Sequence, residues 1–191
     1  MSQGLIYMVG PSGVGKDSLL AWLSRQSPEA LRVPIHIARR SITRLQDGGT
    51  ECHEPLTEAE FSKLSLGNGF AMQWEANGLR YGIRETEFAP LQRAQWVLVN
   101  GSRAYVPELR RDWPGAAVLH VQAPADVVRE RLLGRGREKG AELEARVQRS
   151  QDLGAAHVLP GDMTLVNAGS LDVSGRELIA LLAARAQVAT P

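Results

Sequence analysis

Gly10-Pro11-Ser12-Gly13-Val14-Gly15-Lys16-Asp17-Ser18 is the stretch that decides how this chain is read. Its G-x-x-x-x-G-K spacing is that of a phosphate-binding loop: the glycines let backbone N–H groups close around phosphate oxygens, and the lysine reaches the outer phosphates. Asp17 departs from the pattern, standing where Ser or Thr normally follows the lysine. Before the loop, Leu5-Ile6-Tyr7-Met8-Val9 reads as a buried strand. After it, Ser18-Leu19-Leu20-Ala21-Trp22-Leu23 opens a helical pattern. The glycines therefore fall at a strand-to-helix turn, where free amides and the positive helix end face an anion. Gly10, Pro11, Ser12, Gly13, Val14, Gly15, Lys16, Asp17 and Ser18 are the expected contacts to a nucleotide's phosphates.

Working outward, 191 residues with a 43% hydrophobic share suit one α/β domain with a sizeable core. A formal net charge of +1 gives bulk electrostatics no hold on nucleic acid or membrane. The lone Cys52 excludes an intramolecular disulfide and fits a reducing compartment. The N-terminal apolar run is only a strand long, so no signal peptide or spanning segment is legible, and a cytoplasmic location is expected.

Four more apolar runs read as core strands: 33–37, 96–99, 117–121 and 163–166. Pro34 makes the first an edge strand or moves its start. Helical patterns lie between them at 84–93, 104–113, 125–135 and 174–186, and the tail from Val188 reads as frayed. Strands alternating with amphipathic helices predict a doubly covered parallel sheet. Residues 38–83 differ: Thr57-Glu58-Ala59-Glu60 is a capping box, and Asn77-Gly78 joins two strand-like runs as a hairpin. The charged, glycine-rich stretch 134–140 reads as an arm leading to a helix near Ala141. The expected division is a single kinase domain with core 1–37, 84–131 and 155–191, substrate lobe 38–83 and lid 132–154.

A phosphate loop, an inserted lobe and an arginine-bearing arm are the working parts of a small phosphotransferase, which must hold donor and acceptor in line and neutralise the moving group. Lys16, Arg131, Arg135 and Arg146 are the expected catalytic cations. The alternative for each arginine is a solvated face paired with Glu130, Glu138, Glu142 or Glu144.

Taken in order, the loop, Ile42-Thr43-Arg44, the lobe ending Gly78-Leu79-Arg80-Tyr81-Gly82, and Arg131-Leu132-Leu133-Gly134-Arg135 with Arg146 beyond resemble the guanylate kinase fold. The residues with which that family holds its guanine nucleotide are largely absent. Of its Thr-Thr-Arg-x-Pro-Arg signature only Thr43-Arg44 stand, and the second arginine falls near Asp47. The guanine-reading glutamate falls at Met72, and the small hydroxyl residue after Tyr-Gly is Ile83. Gly15-Lys16-Asp17-Ser18-Leu19-Leu20, Trp74-Glu75-Ala76-Asn77-Gly78-Leu79-Arg80-Tyr81-Gly82 and Val97-Leu98-Val99-Asn100-Gly101-Ser102-Arg103 are instead similar to the ribose 1,5-bisphosphate phosphokinases, a family tied to phosphonate use. That resemblance implies ATP as donor, magnesium, and a sugar phosphate acceptor converted to 5-phospho-α-D-ribose 1-diphosphate (PRPP).

Further roles are expected on this basis. Asp17 contacts the magnesium, or else is a carboxylate placed by the helix dipole. Asn100, Ser102 and Arg103 follow a strand's carboxyl end, where open α/β sheets bind ligands, and are expected at the substrate. Arg44 is expected on the acceptor's phosphate, with Arg39 and Arg40 beside it. Tyr81 binds substrate or packs the lobe, and Asn167 meets adenine or is a turn residue. His36, His53, His120 and His157 lack metal spacing and read as structural. Two other functions stay open: a nucleoside monophosphate kinase of guanylate type, and a guanylate-kinase-like binding module without catalysis. The second has no use for a complete loop together with distal arginines.

Overall fold

A computed structural model describes residues 4–31, 34–44, 53–135, 140–155 and 158–189. At its centre β1 (Leu5–Val9) is buried along its whole length, and the two-residue repeat of a strand divides the interior. Ile6 and Met8 point to one side with Leu98, Leu119 and Val121. There α1 (Lys16–Leu23), α5 (Ala125–Arg135), α6 (Ala141–Ala155) and α7 (Leu171–Ala189) cover them. Leu5, Tyr7 and Val9 point to the other side with Val97, Val99 and Val118. The sheet is parallel, in the order β2 (Ile35–Ile37), β7 (Trp96–Asn100), β1, β8 (Ala117–Gln122), β9 (Met163–Val166). Strands covered on both faces need apolar residues at every position, which is why the central runs are unbroken.

The second sheet is the lobe, in the order β4 (Glu54–Pro55), β3 (Arg40–Ile42), β6 (Leu79–Arg84), β5 (Phe70–Ala76). Asn77 and Gly78 both take positive φ, 52° and 73°, as the tight turn between β5 and β6 requires. α3 (Glu58–Leu66) starts on the expected capping box: the Thr57 amide donates to Glu60 Oε2 at 2.8 Å and the Glu60 amide to Thr57 Oγ1 at 3.2 Å. Opposed residues of the ladder place Arg40 and Ile42 on the same face as Ile83 and Tyr81, together with Met72 and Trp74. This inner face joins the core's Tyr7, Val97 and Val99 in one apolar cluster.

Several expected boundaries are corrected. Residues 85–93 form 3-10 turns, not an α-helix, because Pro90 lacks the amide that a continuous helix needs. The expected helix 104–113 divides into a 3-10 turn at Arg103–Tyr105 and α4 (Val106–Asp112). β2 begins at Ile35, after Pro34, and is the edge strand; the Pro34 carbonyl still accepts from Trp96 N. The last helix starts earlier than expected and extends to Ala189; Thr190 and Pro191 of the expected frayed tail lie outside the described residues. The short helix α2 (Pro28–Leu31) and strands β3 and β4 were not legible. Cys52, Asp47, His157 and the arm at 136–139 lie outside the described residues. Among the described residues no helix is long and apolar enough to cross a membrane.

One residue before β9, Asp162 ties the edge of the sheet to α4. Arg110 Nη2 donates to both its oxygens at 2.9 and 2.8 Å, His120 Nε2 donates at 3.0 Å and the Leu159 amide at 2.9 Å. Burial pushes its carboxyl up, but the Leu159 amide, Arg110 and His120 outweigh burial and hold it below the usual aspartate range. A depressed carboxylate stabilises the fold above its unfolded pKa of about 3.9, and that stability is lost as pH falls through the lower folded value. Asp162→Ala is expected to cost about 3 kcal/mol, the lower end for breaking a buried ion pair. Thermal melts should also show the variant's deficit at pH 7 shrinking below pH 4.

Candidate active site

The loops after β1, β7, β8 and β9 converge at the carboxyl edge of the parallel sheet, and the expected site residues gather there. The phosphate loop turns from β1 into α1 through Gly13 and Gly15, at φ 91° and 92°. At Gly15 the constraint is double. Its backbone is left-handed, and an added Cβ would stand 2.5 Å from Asn167 Nδ2. Lys16 bends back over the loop, its Nζ donating to the Gly10 carbonyl at 2.6 Å and to Pro11 at 3.2 Å. An ammonium held on its own loop's carbonyls is already placed where phosphate oxygens would take over those bonds.

The loop is braced from outside. Val14's carbonyl accepts Arg131 Nη1 at 3.1 Å and Asn167 Nδ2 at 2.7 Å, and Asn167 Oδ1 accepts from Arg131 Nη2 at 3.4 Å. Asn167 is itself fixed through its amide N–H, which donates to the Gln122 carbonyl at 2.8 Å. At 1% exposed, Asn167 is sealed beneath the loop. Its side-chain amide is bonded to Val14 and Arg131 and so braces the loop. From α6, Arg146 Nη2 donates to Ser12 Oγ at 2.7 Å. Two of the expected catalytic arginines thus converge on the loop from different helices. Arg135 ends α5, with its side chain outside the described part of the chain.

On the far side of the loop, Asp17 Oδ1 accepts from Asn100 Nδ2 at 2.7 Å, and Arg40 Nη2 lies 3.7 Å away. Asn100 Oδ1 is buried beside this contact with no hydrogen-bond donor among the described residues. Among the described residues no three His, Cys, Asp or Glu side chains are grouped to hold a metal. Magnesium, however, needs only one or two protein oxygens beside phosphates and water. The Asp17 carboxylate and the orphaned Asn100 oxygen are hard donors of that kind, so these residues fit the cation.

The remaining expected residues lie on α1, after β7 and in the lobe. Ser18 lies in the first turn of α1. Ser102 receives the Ala104 amide on Oγ at 3.3 Å, capping the turn, while its own amide donates to the Tyr7 hydroxyl at 3.0 Å. Burial pushes the Tyr7 phenol up, keeping it neutral. Arg103 is half-buried, and desolvation pulls its guanidinium down. Tyr81 is 8% exposed, stacks on Trp74 at 5.6 Å, and carries Arg40 over its ring. Arg44 is half-buried at the end of a described segment, its carbonyl 3.2 Å from His53 Nε2. Sequence reasoning underweighted Arg40. Its inward parity, shared with Ile42, follows from β3, a strand that the sequence did not reveal.

No protein-family model matches the chain. Curated relatives do. One from Pseudomonas paraeruginosa, named ribose 1,5-bisphosphate phosphokinase PhnN, is 42% identical over 95% of this chain and 96% of its own length. Another of that name, from Ruegeria sp., is 39% identical over 95% of this chain and 90% of its own. A third, from Janthinobacterium sp., is 40% identical over 93% of this chain, which spans only 38% of that protein. Among solved structures, a guanylate kinase from Anaplasma phagocytophilum matches with a TM-score of 0.66 over 94% of this chain and 84% of its own, at 16% identity. That likeness bears on the fold alone.

The brace at Val14 can be tested directly. Asn167→Ala removes one donor from the loop carbonyl, and a lost buried hydrogen bond costs roughly 1–3 kcal/mol. Calorimetry should show affinity for a nucleoside triphosphate falling about tenfold, with the acceptor's affinity for the free enzyme unchanged.

Proposed function

Since the chain belongs to the ribose 1,5-bisphosphate phosphokinase family, we propose that it transfers the terminal phosphoryl group of ATP to the anomeric phosphate of ribose 1,5-bisphosphate. An oxygen of that phosphate forms the new P–O bond as the donor's β–γ bridge breaks, giving PRPP and ADP.

The supporting observation is the lobe's inner face. Met72 and Ile83, at the positions where the guanylate kinase pattern reads guanine, are directly opposed and 1% and 0% exposed. Trp74 and Tyr81 stack beside them. A purine buried against this surface would leave its polar edge unpaired, at roughly 1–3 kcal/mol for each group. A sugar phosphate has no base to satisfy and needs cations instead, and Arg40 rises from this same face. Arg44, Arg103, Asn100, Ser102 and Tyr81 complete the proposed acceptor site.

In this reading Lys16 and the loop amides hold the donor's phosphates, and the catalytic cations are Arg131 and Arg146, which reach the loop, with Arg135 as the third expected one. Asp17, with Asn100 beside it, would hold magnesium, which when bound would neutralise charge on the phosphates. The acceptor oxygen already belongs to an ionised phosphate, so no residue has to remove a proton before attack. The lid, 132–154, excludes water that would hydrolyse the donor. It completes one kinase domain with core 1–37, 84–131 and 155–191 and lobe 38–83. Dependence on ATP and a phosphorylated sugar supports a cytoplasmic location.

An ADP-release assay with each acceptor separates the alternatives. Turnover is expected with ribose 1,5-bisphosphate and not with GMP; strong turnover confined to GMP would overturn the proposal. Arg146→Ala should lower kcat by about a thousandfold, the lower range for an arginine that stabilises phosphoryl transfer.

A further inference from the structure

Arg40 spans the junction between lobe and core. Its guanidinium lies 5.4 Å from the centre of the Tyr81 ring, donates to the Asn100 carbonyl at 3.4 Å and stands 3.7 Å from Asp17 Oδ1. The arginine side chain is 13% exposed and that of Asp17 36%. Asp17 is therefore a counter-charge to a nearly buried cation. It is also, from its open side, one of the two oxygen donors suited to a divalent metal.

We propose that Arg40 is a positioning residue that couples the two substrates: Asp17 is shared between Arg40 and the donor's metal, and Arg40 takes a phosphate of the acceptor once Asp17 turns to the metal. This rests on the acceptor reading given above. Three features support it. The Asn100 carbonyl and the Tyr81 ring keep the guanidinium in place when the carboxylate lets go. A guanidinium fork matches phosphate oxygens in pairs, which an ammonium does not. A nearly buried cation that loses a counter-charge is costly, so an anion entering the adjoining space binds more tightly. Coupling of binding is reciprocal, and the acceptor must raise the donor's affinity by the same factor.

Calorimetric titration of ribose 1,5-bisphosphate into the free enzyme, and into enzyme saturated with magnesium and a non-hydrolysable ATP analogue, measures this coupling. The wild type should bind the acceptor at least about fivefold more tightly in the second state. Arg40→Gln should bind it weakly in both states, with a ratio near one. Asp17→Asn should act in the opposite sense, binding the acceptor tightly before any donor is added. A purely structural Arg40 would weaken both states alike and preserve the ratio. The coupling is overturned if Arg40→Gln keeps the wild-type ratio, or if free Asp17→Asn enzyme binds the acceptor as weakly as free wild type. Failure of ribose 1,5-bisphosphate to bind either wild-type state would instead reject the acceptor reading. Inorganic pyrophosphate then serves as the probe, and the same two ratios decide the role of Arg40.

Discussion

The Val14 carbonyl oxygen is the constraint on which the site depends. It belongs to the glycine-rich turn, yet its two donors come from α5 and from the residue that follows β9. A loop of this composition has many conformations open to it, and glycine makes the entropic cost of ordering it high. Tying one of its carbonyls to two distant elements selects a single conformation before any ligand arrives, so binding need not meet that cost. The same brace orients Arg131 toward the loop and leaves room at Gly15 for no side chain.

The other half of the site is organised by parity. In β3, alternate residues face opposite sides of the lobe sheet. Arg40 and Ile42 turn inward, while Ser41 turns outward to Glu54, which is also gripped by Arg84. The inner surface is thereby apolar except at one edge, and its cation stands at that edge, next to Asp17 and Asn100. The surface so made carries a cation at its rim and none across its apolar centre. Family membership and this geometry agree, although the identity figures carry no information about parity.

The parallel sheet, the hairpin at Asn77-Gly78 and the capping box at Thr57 were legible because each rests on local chemistry: an unbroken apolar run, a left-handed turn, a side-chain cap. β3 and β4 were not, since strands this short gain stability only from their partners. The loop, Asp17 and Asn100 were singled out from the motif and its neighbouring strand, and the structure brings Asp17 and Asn100 into contact. Asn167 was found as well, but its use was not, because a side chain's partner across 153 positions leaves no trace in spacing. Arg40 was visible as half of an arginine pair, and only the register with Tyr81 and Ile83 separates it from Arg39.

The apolar cluster shared by the two sheets has a mechanical consequence. Tyr7 and Val99 of the core pack with Trp74, Tyr81 and Ile83 of the lobe, and the Tyr7 hydroxyl also receives the Ser102 amide. Any swing of the lobe away from the core would have to crack this seam and wet its aromatic rings. The lobe is therefore stiffly mounted, an anvil more than a jaw. On the opposite side of the cleft α6 packs Leu143 and Val147 into the core cluster that holds Val14, and Arg146 reaches Ser12 of the loop.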